Sequence, residues 1–261
     1  MAKERKSGGA TPPKGAPTRR AAGGGGDPKE DSSSGVAWEW TKSVLIAFAL
    51  FLVMRTFLLQ TFVITSGSME NTLLVGDYLI VNRAAIGSRI PFTGEPGIRI
   101  PGYSKAHRGD VIVFDPPHEA ELKLVKRLIG MPGDTVEMRD KVLYLNGVAQ
   151  DEPYVRHDDP NGDDSHPWMR WQSDYLAPGV VREGYRPTRD NWGPLVVPED
   201  RYFMLGDNRD RSLDSRYWGL LEGWRLEGRA SRIYYSYDKQ SLKPFRFFRE
   251  VRADRIGAQV R

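Results

Sequence analysis

The 261-residue sequence contains no cysteine, which excludes disulfide frameworks, thiolate zinc sites and cysteine nucleophiles. Its 4 histidines, at positions 107, 118, 157 and 166, lie in polar loop-like sequence away from any strained serine turn, which disfavours a Ser-His triad. Walker A loops, Gly-x-Ser-x-Gly elbows and paired-histidine zinc helices are missing, and the acidic segment 207–221 lacks the glycine and closing glutamate of a calcium loop. We therefore expect no metal and no cofactor.

Outside the N-terminus, positive and negative charges nearly balance. The formal net charge is +4, and residues 1–36 hold 7 Lys/Arg against 4 Asp/Glu, which leaves +1 for the rest of the chain. A nucleic-acid partner is therefore not expected. The same 36 residues are glycine, serine, proline and charged residues with few apolar side chains, which predicts a disordered tail.

A single long apolar segment follows this tail. It runs from Trp38 to Leu59, and as a helix it would be about 33 Å long, which matches a hydrocarbon core if Lys42 and Arg55 snorkel to opposite surfaces. A cleaved secretory signal and a buried core helix are the alternatives, and the long leader without a small-residue cleavage site disfavours the first. We predict one transmembrane anchor over residues 37–60, with the basic N-terminus cytoplasmic and everything beyond on the other face.

The remaining 200 residues or so are rich in short β-branched and aromatic runs, which predict a mainly β domain. The predicted strands are 61–65, 77–82, 110–114, 122–129, 135–138, 142–145, 201–205 and 231–237. Residues 151–194 change to Asp, Pro, Gly and isolated aromatics, which predicts an inserted subdomain or long loop between a first part of the domain at 61–150 and a second part with the C-terminal tail at 195–261. Aromatic and basic residues alternate over 243–249, which fits either a solvated terminus or a membrane-surface contact.

Lys126 is the candidate general base. Lysine has a pKa of about 10.4, so using it as a neutral base at pH 7 costs about 4.6 kcal/mol unless its surroundings favour the neutral amine. Along a strand, Lys126 would share one face with Leu122, Leu124 and Leu128, and burial there would lower its pKa. The alternative is an edge strand in which an inward lysine prevents aggregation.

A serine partner is suggested by Ser66-Gly67-Ser68-Met69, which follows the first predicted strand. Gly67 permits close backbone approach, and two serines across it could supply one nucleophile and one hydroxyl donor to a developing oxyanion. An ordinary polar turn is the alternative.

Three blocks, in this order, resemble the bacterial type I signal peptidases. They are Ser66-Gly-Ser68-Met with Gly76-Asp77, Lys126-Arg127 with Gly-Met-Pro-Gly-Asp at 130–134, and GDNRDRSLDSRYWG at 206–219. The resemblance covers the anchor and most of the chain from Phe62 to about Tyr237. It implies a signal-peptidase-like β-barrel or sheet catalytic domain with an inserted small subdomain, preceded by one transmembrane helix in the bacterial inner membrane, with the catalytic domain on the outer, periplasmic face.

The resemblance also implies roles for individual residues. Ser68 would be the nucleophile, Lys126 the general base, and the Ser66 hydroxyl with the Ser68 amide the oxyanion hole. Ser212 would orient the Lys126 ammonium group. The residues implied to hold the active-site strands, through charge-assisted hydrogen bonds or as a structural side chain, are Asp207, Arg209, Asp214, Arg216 and Arg127.

One position departs from the family pattern: Asn71 stands where Ser-Met-x-Pro-Thr has proline, which removes a fixed φ from the loop. The implied partners are the lipid bilayer and exported preproteins with small residues before the cleavage site. A self-cleaving regulator with a related Ser-Lys site and a catalytically silent membrane-anchored binding module are the competing hypotheses.

Overall fold

The structure is a computed structural model that describes residues 32–90, 93–94, 96–119, 122–159 and 162–261. Most of the tail predicted to be disordered, residues 1–36, lies outside the described residues. From Ser32 onward the chain is helical, five residues earlier than expected. Adding a residue to an existing helix costs far less than nucleating one, so the apolar segment can extend its helix into the adjoining serines and glycine.

The first helix, α1 (Ser32–Phe57), includes the stretch Gly35–Phe57, which is long and apolar enough to cross a membrane. None of its 18-residue apolar window is buried, which disfavours the core-helix alternative. The chain divides into two compact units between Ala47 and Phe48, and the features below belong to the second.

Beyond α1 the fold is mainly β, as predicted. The described strands are β1 (Leu59–Val63), β2 (Asp77–Asn82), β3 (Gly87–Arg89), β4 (Arg99–Pro101), β5 (Val111–Phe114), β6 (Leu124–Gly130), β7 (Thr135–Arg139), β8 (Val142–Leu145), β9 (Val148–Ala149), β10 (Trp192–Val196), β11 (Arg201–Leu205), β12 (Leu221–Glu222) and β13 (Leu226–Ser236). The short helices are α2 (Arg83–Ile86), α3 (Ser215–Trp218) and α4 (Arg246–Arg249).

Seven strands form the main sheet, in the order β1-β2-β13-β5-β6-β11-β12, and their pairings are antiparallel. A four-stranded sheet, β10-β7-β8-β9, and the pair β3-β4 complete the described sheets. Since β6 lies between β5 and β11, the edge-strand alternative for Lys126 is wrong.

Three strand predictions need correction. The strand expected at 61–65 runs from Leu59 to Val63, two residues earlier. The strand expected at 122–129 begins at Leu124, so Leu122 lies outside it and its side chain is 45% exposed. The strand expected at 231–237 begins at Leu226, because Leu226 and Gly228 pair with β5 although the intervening sequence does not alternate apolar and polar residues.

The segment 151–194 is mostly loop, with a 3₁₀ segment, Pro167–Tyr175, packed near α3. Its last residues are not loop, because β10 begins at Trp192 and Leu195 pairs with Val136 of β7. Gly193-Pro194 is typical of a turn, yet here it forms an irregularity within the strand, where a residue without an N–H donor is tolerated.

Candidate active site

The candidate nucleophile Ser68 lies in a 3₁₀ turn, Gly67–Met69, that follows β1. Met69 and Leu73 anchor the turn in the core: they are 1% and 0% exposed and pack into the apolar cluster around β2 and β13. In addition, the backbone N–H of Asn208 donates to the Ser68 carbonyl at 3.1 Å. These contacts fix the backbone that presents the Ser68 hydroxyl.

Lys126 lies in the interior strand β6 and is 3% exposed. Its antiparallel partner on β5 is Ile112, while Leu128, two residues further along β6, is opposite Met204 of β11. Facing residues of an antiparallel pair share one side of the sheet, so these apolar side chains surround the lysine stem. All three are fully buried and belong to one core cluster.

The structure brings these two residues together. Lys126 Nζ lies 2.6 Å from Ser68 Oγ, and Ser68 is 8% exposed. Burial lowers the pKa of Lys126 to about 8, although the carboxylates of Asp214 and Asp207 act in the opposite direction and the Arg216 charge lowers it further. A neutral amine at this distance can accept the hydroxyl proton, as a general base must.

Ser66 lies on the exposed side of the same turn, with its hydroxyl 3.5 Å from Ser68 Oγ. A hydroxyl beside the nucleophile can donate to an oxygen that becomes negatively charged during attack.

A buried ion pair connects the main sheet to the nucleophile loop, residues 66–72, which contains Ser68. Arg127 donates to both carboxylate oxygens of Asp207, from Nε at 2.8 Å and Nη2 at 2.6 Å, and both residues are essentially unexposed. Thr72, four residues after Ser68, donates its hydroxyl to Asp207 Oδ2 at 2.5 Å. Arg127 thus faces away from Lys126 and holds the loop through a shared carboxylate.

A second buried ion pair lies at the start of α3. Arg216 donates from Nε and Nη2 to the two oxygens of Asp214, both at 2.8 Å, and Asp214 also accepts from the Gly206 amide at 3.1 Å. Burial by itself would raise the pKa of Asp214, but the Arg216 guanidinium, together with the Gly206 amide and the Ser212 hydroxyl, outweighs burial and holds the pKa below its usual range. Arg209 forms a further bidentate pair with Glu152, at 2.6 and 2.8 Å.

Ser212 is buried close to the nucleophile turn, on the far side of Gly206. A Cβ on Gly206 would come within 2.1 Å of Ser212 Oγ and 2.5 Å of the Ser68 carbonyl, so only glycine allows this approach. No hydrogen bond joins Ser212 Oγ to Lys126 among the described residues, and the Ser212 hydroxyl instead helps to lower the pKa of Asp214. The expected hydrogen bond to Lys126 therefore stays a prediction.

Comparison with known proteins identifies the family. The family model described as signal peptidase, peptidase S26, matches residues 37–235. Signal peptidase I of Bacillus licheniformis is 34% identical over 202 residues, 77% of this chain and 90% of that protein. Signal peptidase I of Pseudomonas aeruginosa is 35% identical over 228 residues, 82% of this chain and 78% of that protein. The chain belongs to the signal peptidase family, peptidase S26.

The family assignment makes the chain a serine endopeptidase. Among solved structures, a crystal structure of a signal peptidase I from Enterococcus faecalis V583 is 35% identical and covers 48% of this chain and 97% of its own, with a TM-score of 0.32. Within the described ranges, no group of three or more His, Asp or Glu side chains could hold a metal ion.

Sequence reasoning missed several residues that fix the site. Glu152 forms an ion pair with Arg209. The guanidinium carbon of Arg127 lies over the Tyr154 ring, 3.8 Å from the ring centroid. Both come from the loop-like segment after residue 150, where composition gives no periodic signal to place a side chain. Asn71 has a φ of 93° and donates from Nδ2 to the Tyr154 carbonyl at 3.0 Å, so its amide joins the nucleophile loop to the same segment.

Proposed function

We propose that the chain is a membrane-bound endopeptidase that removes N-terminal signal peptides from exported preproteins through a Ser68-Lys126 acyl-enzyme mechanism. The observation that carries the proposal is the 2.6 Å approach of Lys126 Nζ to Ser68 Oγ inside a buried apolar environment. Family membership supports the removal of signal peptides by a serine protease.

The reaction begins with proton transfer from the Ser68 hydroxyl to the neutral Lys126 amine, while Ser68 Oγ attacks the scissile carbonyl carbon. The resulting oxyanion accepts hydrogen bonds from the Ser66 hydroxyl and the Ser68 amide. The Lys126 ammonium then gives its proton to the leaving amine as the peptide bond breaks. In the second half, Lys126 takes a proton from water, whose oxygen attacks the ester, and returns it to Ser68.

The buried surroundings of Lys126 make this chemistry possible near neutral pH. With a pKa of about 8, roughly one lysine in ten is neutral at pH 7, against fewer than about one in a thousand for a solvated lysine. Ser212 would orient the ammonium, and Asp207, Arg209, Asp214 and Arg216 would hold the surrounding strands. Arg127 would act structurally, through Asp207.

An extended substrate fits beside β1. This strand is at one end of the main sheet order, and β2 is its strand partner in the described part of the chain. A free strand edge can pair with an extended peptide through backbone hydrogen bonds, which brings a carbonyl towards the turn that follows β1. Small side chains before the cleavage site suit such close pairing.

Membrane attachment is supported by α1, whose stretch Gly35–Phe57 is long and apolar enough to span a bilayer. We infer a single-pass protein of the bacterial inner membrane, with the basic leader in the cytoplasm and the catalytic unit on the periplasmic side. Enzyme and membrane-held preprotein would then meet at one surface.

The test is cleavage of a preprotein by the full chain in detergent, with products identified by mass spectrometry. Ser68→Ala and Lys126→Ala should each abolish processing, whereas Ser165→Ala and Lys105→Ala, which change exposed residues of the same types, should leave it unchanged. Near wild-type cleavage by either dyad variant would refute the mechanism.

The same assay separates the competing hypotheses. A self-cleaving regulator would shorten its own chain when incubated alone, and a silent binding module would release no product from the preprotein.

A further inference from the structure

Two cavities adjoin each other where α1 ends and β1 begins. The first has a volume of about 410 Å³ and is lined in part by Arg55, Gln60, Arg83, Arg89, Lys123 and Glu227. The second has a volume of about 340 Å³ and is lined in part by Phe51, Met54 and Leu59. Arg55 and Gln60 line both, so the cavities meet at these two side chains.

The first cavity is electropositive. Four cations line it, namely Arg55, Arg83, Arg89 and Lys123, whereas Glu227 is the one acidic residue in its lining among the residues that the structure describes. Arg83 and Lys123 both contact Glu227 at 2.9 Å, and Lys123 and Arg89 also contact Asp115. Four positive charges therefore face two carboxylates, and an anion entering the cavity would be attracted.

Arg55 is the cation that these carboxylates do not hold. It lies in the last turn of α1, is exposed, and forms no ion pair with any described residue. A basic residue at a helix C-terminus also interacts favourably with the helix dipole, and this interaction is the alternative explanation for an arginine at position 55. Arg83 also lines this cavity, and its Nε is buried without a hydrogen-bond partner among the described residues.

The second cavity is apolar on the side of the helix. Phe51 and Met54 are 53% and 50% exposed, and both belong to the stretch that is long enough to span a membrane. Leu59, at the start of β1, is 45% exposed and continues the apolar surface. A ligand that fills both cavities must therefore carry an anionic group next to hydrocarbon.

We propose that the two cavities bind one anionic phospholipid. Its phosphodiester contacts Arg55 and the neighbouring cations, since guanidinium groups bind phosphate oxygens through paired hydrogen bonds. Its acyl chains lie along Phe51, Met54 and Leu59. A free phosphate ion shares the headgroup chemistry but leaves the apolar cavity unused. The site is separate from the Ser68-Lys126 pair and rests on the proposed membrane attachment but not on the proposed peptidase mechanism.

Native mass spectrometry of the full chain in detergent tests the proposal, with phosphatidylglycerol and phosphatidylcholine as the two probes. The wild type should retain one phosphatidylglycerol about tenfold more tightly than phosphatidylcholine. Arg55→Gln should lose most of this preference, because one charge-assisted contact to phosphate disappears. Arg186→Gln, which changes an exposed arginine outside both cavities, should keep it.

Equal retention of the two lipids by the wild type, or an unchanged preference in Arg55→Gln, would overturn the proposal. Displacement of phosphatidylglycerol by inorganic phosphate would also overturn it, since the site would then take the free ion. Preprotein cleavage by Arg55→Gln in lipid-free detergent should match the wild type. The lipid site and the proposed peptidase mechanism can therefore fail independently.

Discussion

The pH dependence of cleavage is the most direct consequence of the buried amine. Only the neutral form of Lys126 can accept the Ser68 proton, so activity should follow the fraction of enzyme in which this amine is deprotonated. Burial lowers the pKa of Lys126 from 10.5 to about 8. Raising the pH from 6 to 9 should therefore convert an inactive population into an active one.

The size of the effect follows from that pKa. The neutral fraction is about 1% at pH 6, about half at pH 8 and about 90% at pH 9, so kcat/KM should rise roughly 90-fold between pH 6 and pH 9. A lysine with its ordinary pKa would instead give a tenfold rise per pH unit throughout this range, or about 1,000-fold, without a plateau.

The assay is initial-rate cleavage of a signal-peptide substrate at concentrations far below KM, because kcat/KM then reports the pKa of the free enzyme. The substrate should carry no group that titrates between pH 6 and pH 10. A rise that continues without curvature to pH 10, or a rate that does not change with pH, would show that no amine with a lowered pKa controls the reaction.

Substitutions at three positions test the dyad and its surroundings. Ser66→Ala should lower kcat about 100-fold with little change in KM, while Ser66→Thr, which keeps the hydroxyl, should lower it less. Asn71→Pro should abolish most activity, since proline cannot adopt the φ of 93°, whereas Asn71→Gly loses only the hydrogen bond to Tyr154 and should fall a few-fold in kcat/KM. Lys126→Met should raise the free energy of unfolding at pH 7 by up to about 3 kcal/mol, measured by denaturant titration, because at this pH the folded state carries a buried ammonium that the unfolded state solvates.

The difference between the pKa of Lys126 in the folded and unfolded states also sets the direction of a pH effect on wild-type stability. The unfolded chain holds the Lys126 proton up to about pH 10.5, while the folded chain releases it near pH 8. The unfolded state therefore binds more protons between these values, so this residue makes the protein more stable as the pH rises through that window. Lys126→Met should lack this gain.

The mainly β fold and the strand of Lys126 could be predicted because both depend on local alternation. Strand 142–145 was predicted with its exact bounds, since its short apolar and aromatic run stands between two polar turns. The interior position of β6 could not be predicted, because strand order depends on contacts between residues distant in sequence. The choice between a buried base and an edge-strand lysine therefore needed the sheet topology.

The charged framework around the dyad was only partly foreseeable. Family resemblance implied roles for Asp207 and Arg209 but did not indicate their partners, and Glu152 comes from a segment without periodicity. The effect of Asn71 could not be predicted either. Asparagine in place of the family's proline suggested a less rigid nucleophile loop, whereas in the structure the Asn71 side-chain amide donates to the Tyr154 carbonyl and so holds the loop. Side-chain contacts between irregular segments leave no pattern in the sequence.

The ion pairs near the dyad also solve an electrostatic problem. A carboxylate close to Lys126 favours the ammonium form, and Asp214 and Asp207 both act in this direction. Arg216 binds Asp214 at both oxygens and itself lowers the pKa of Lys126, so the pair presents opposing charges to the amine. Arg216 offsets only part of the effect of the two carboxylates, so burial among Ile112 and its neighbours, which is the largest influence, decides the direction of the shift. Ion pairs can thus hold the strands together while the pKa of Lys126 stays low enough for part of the population to carry a neutral amine.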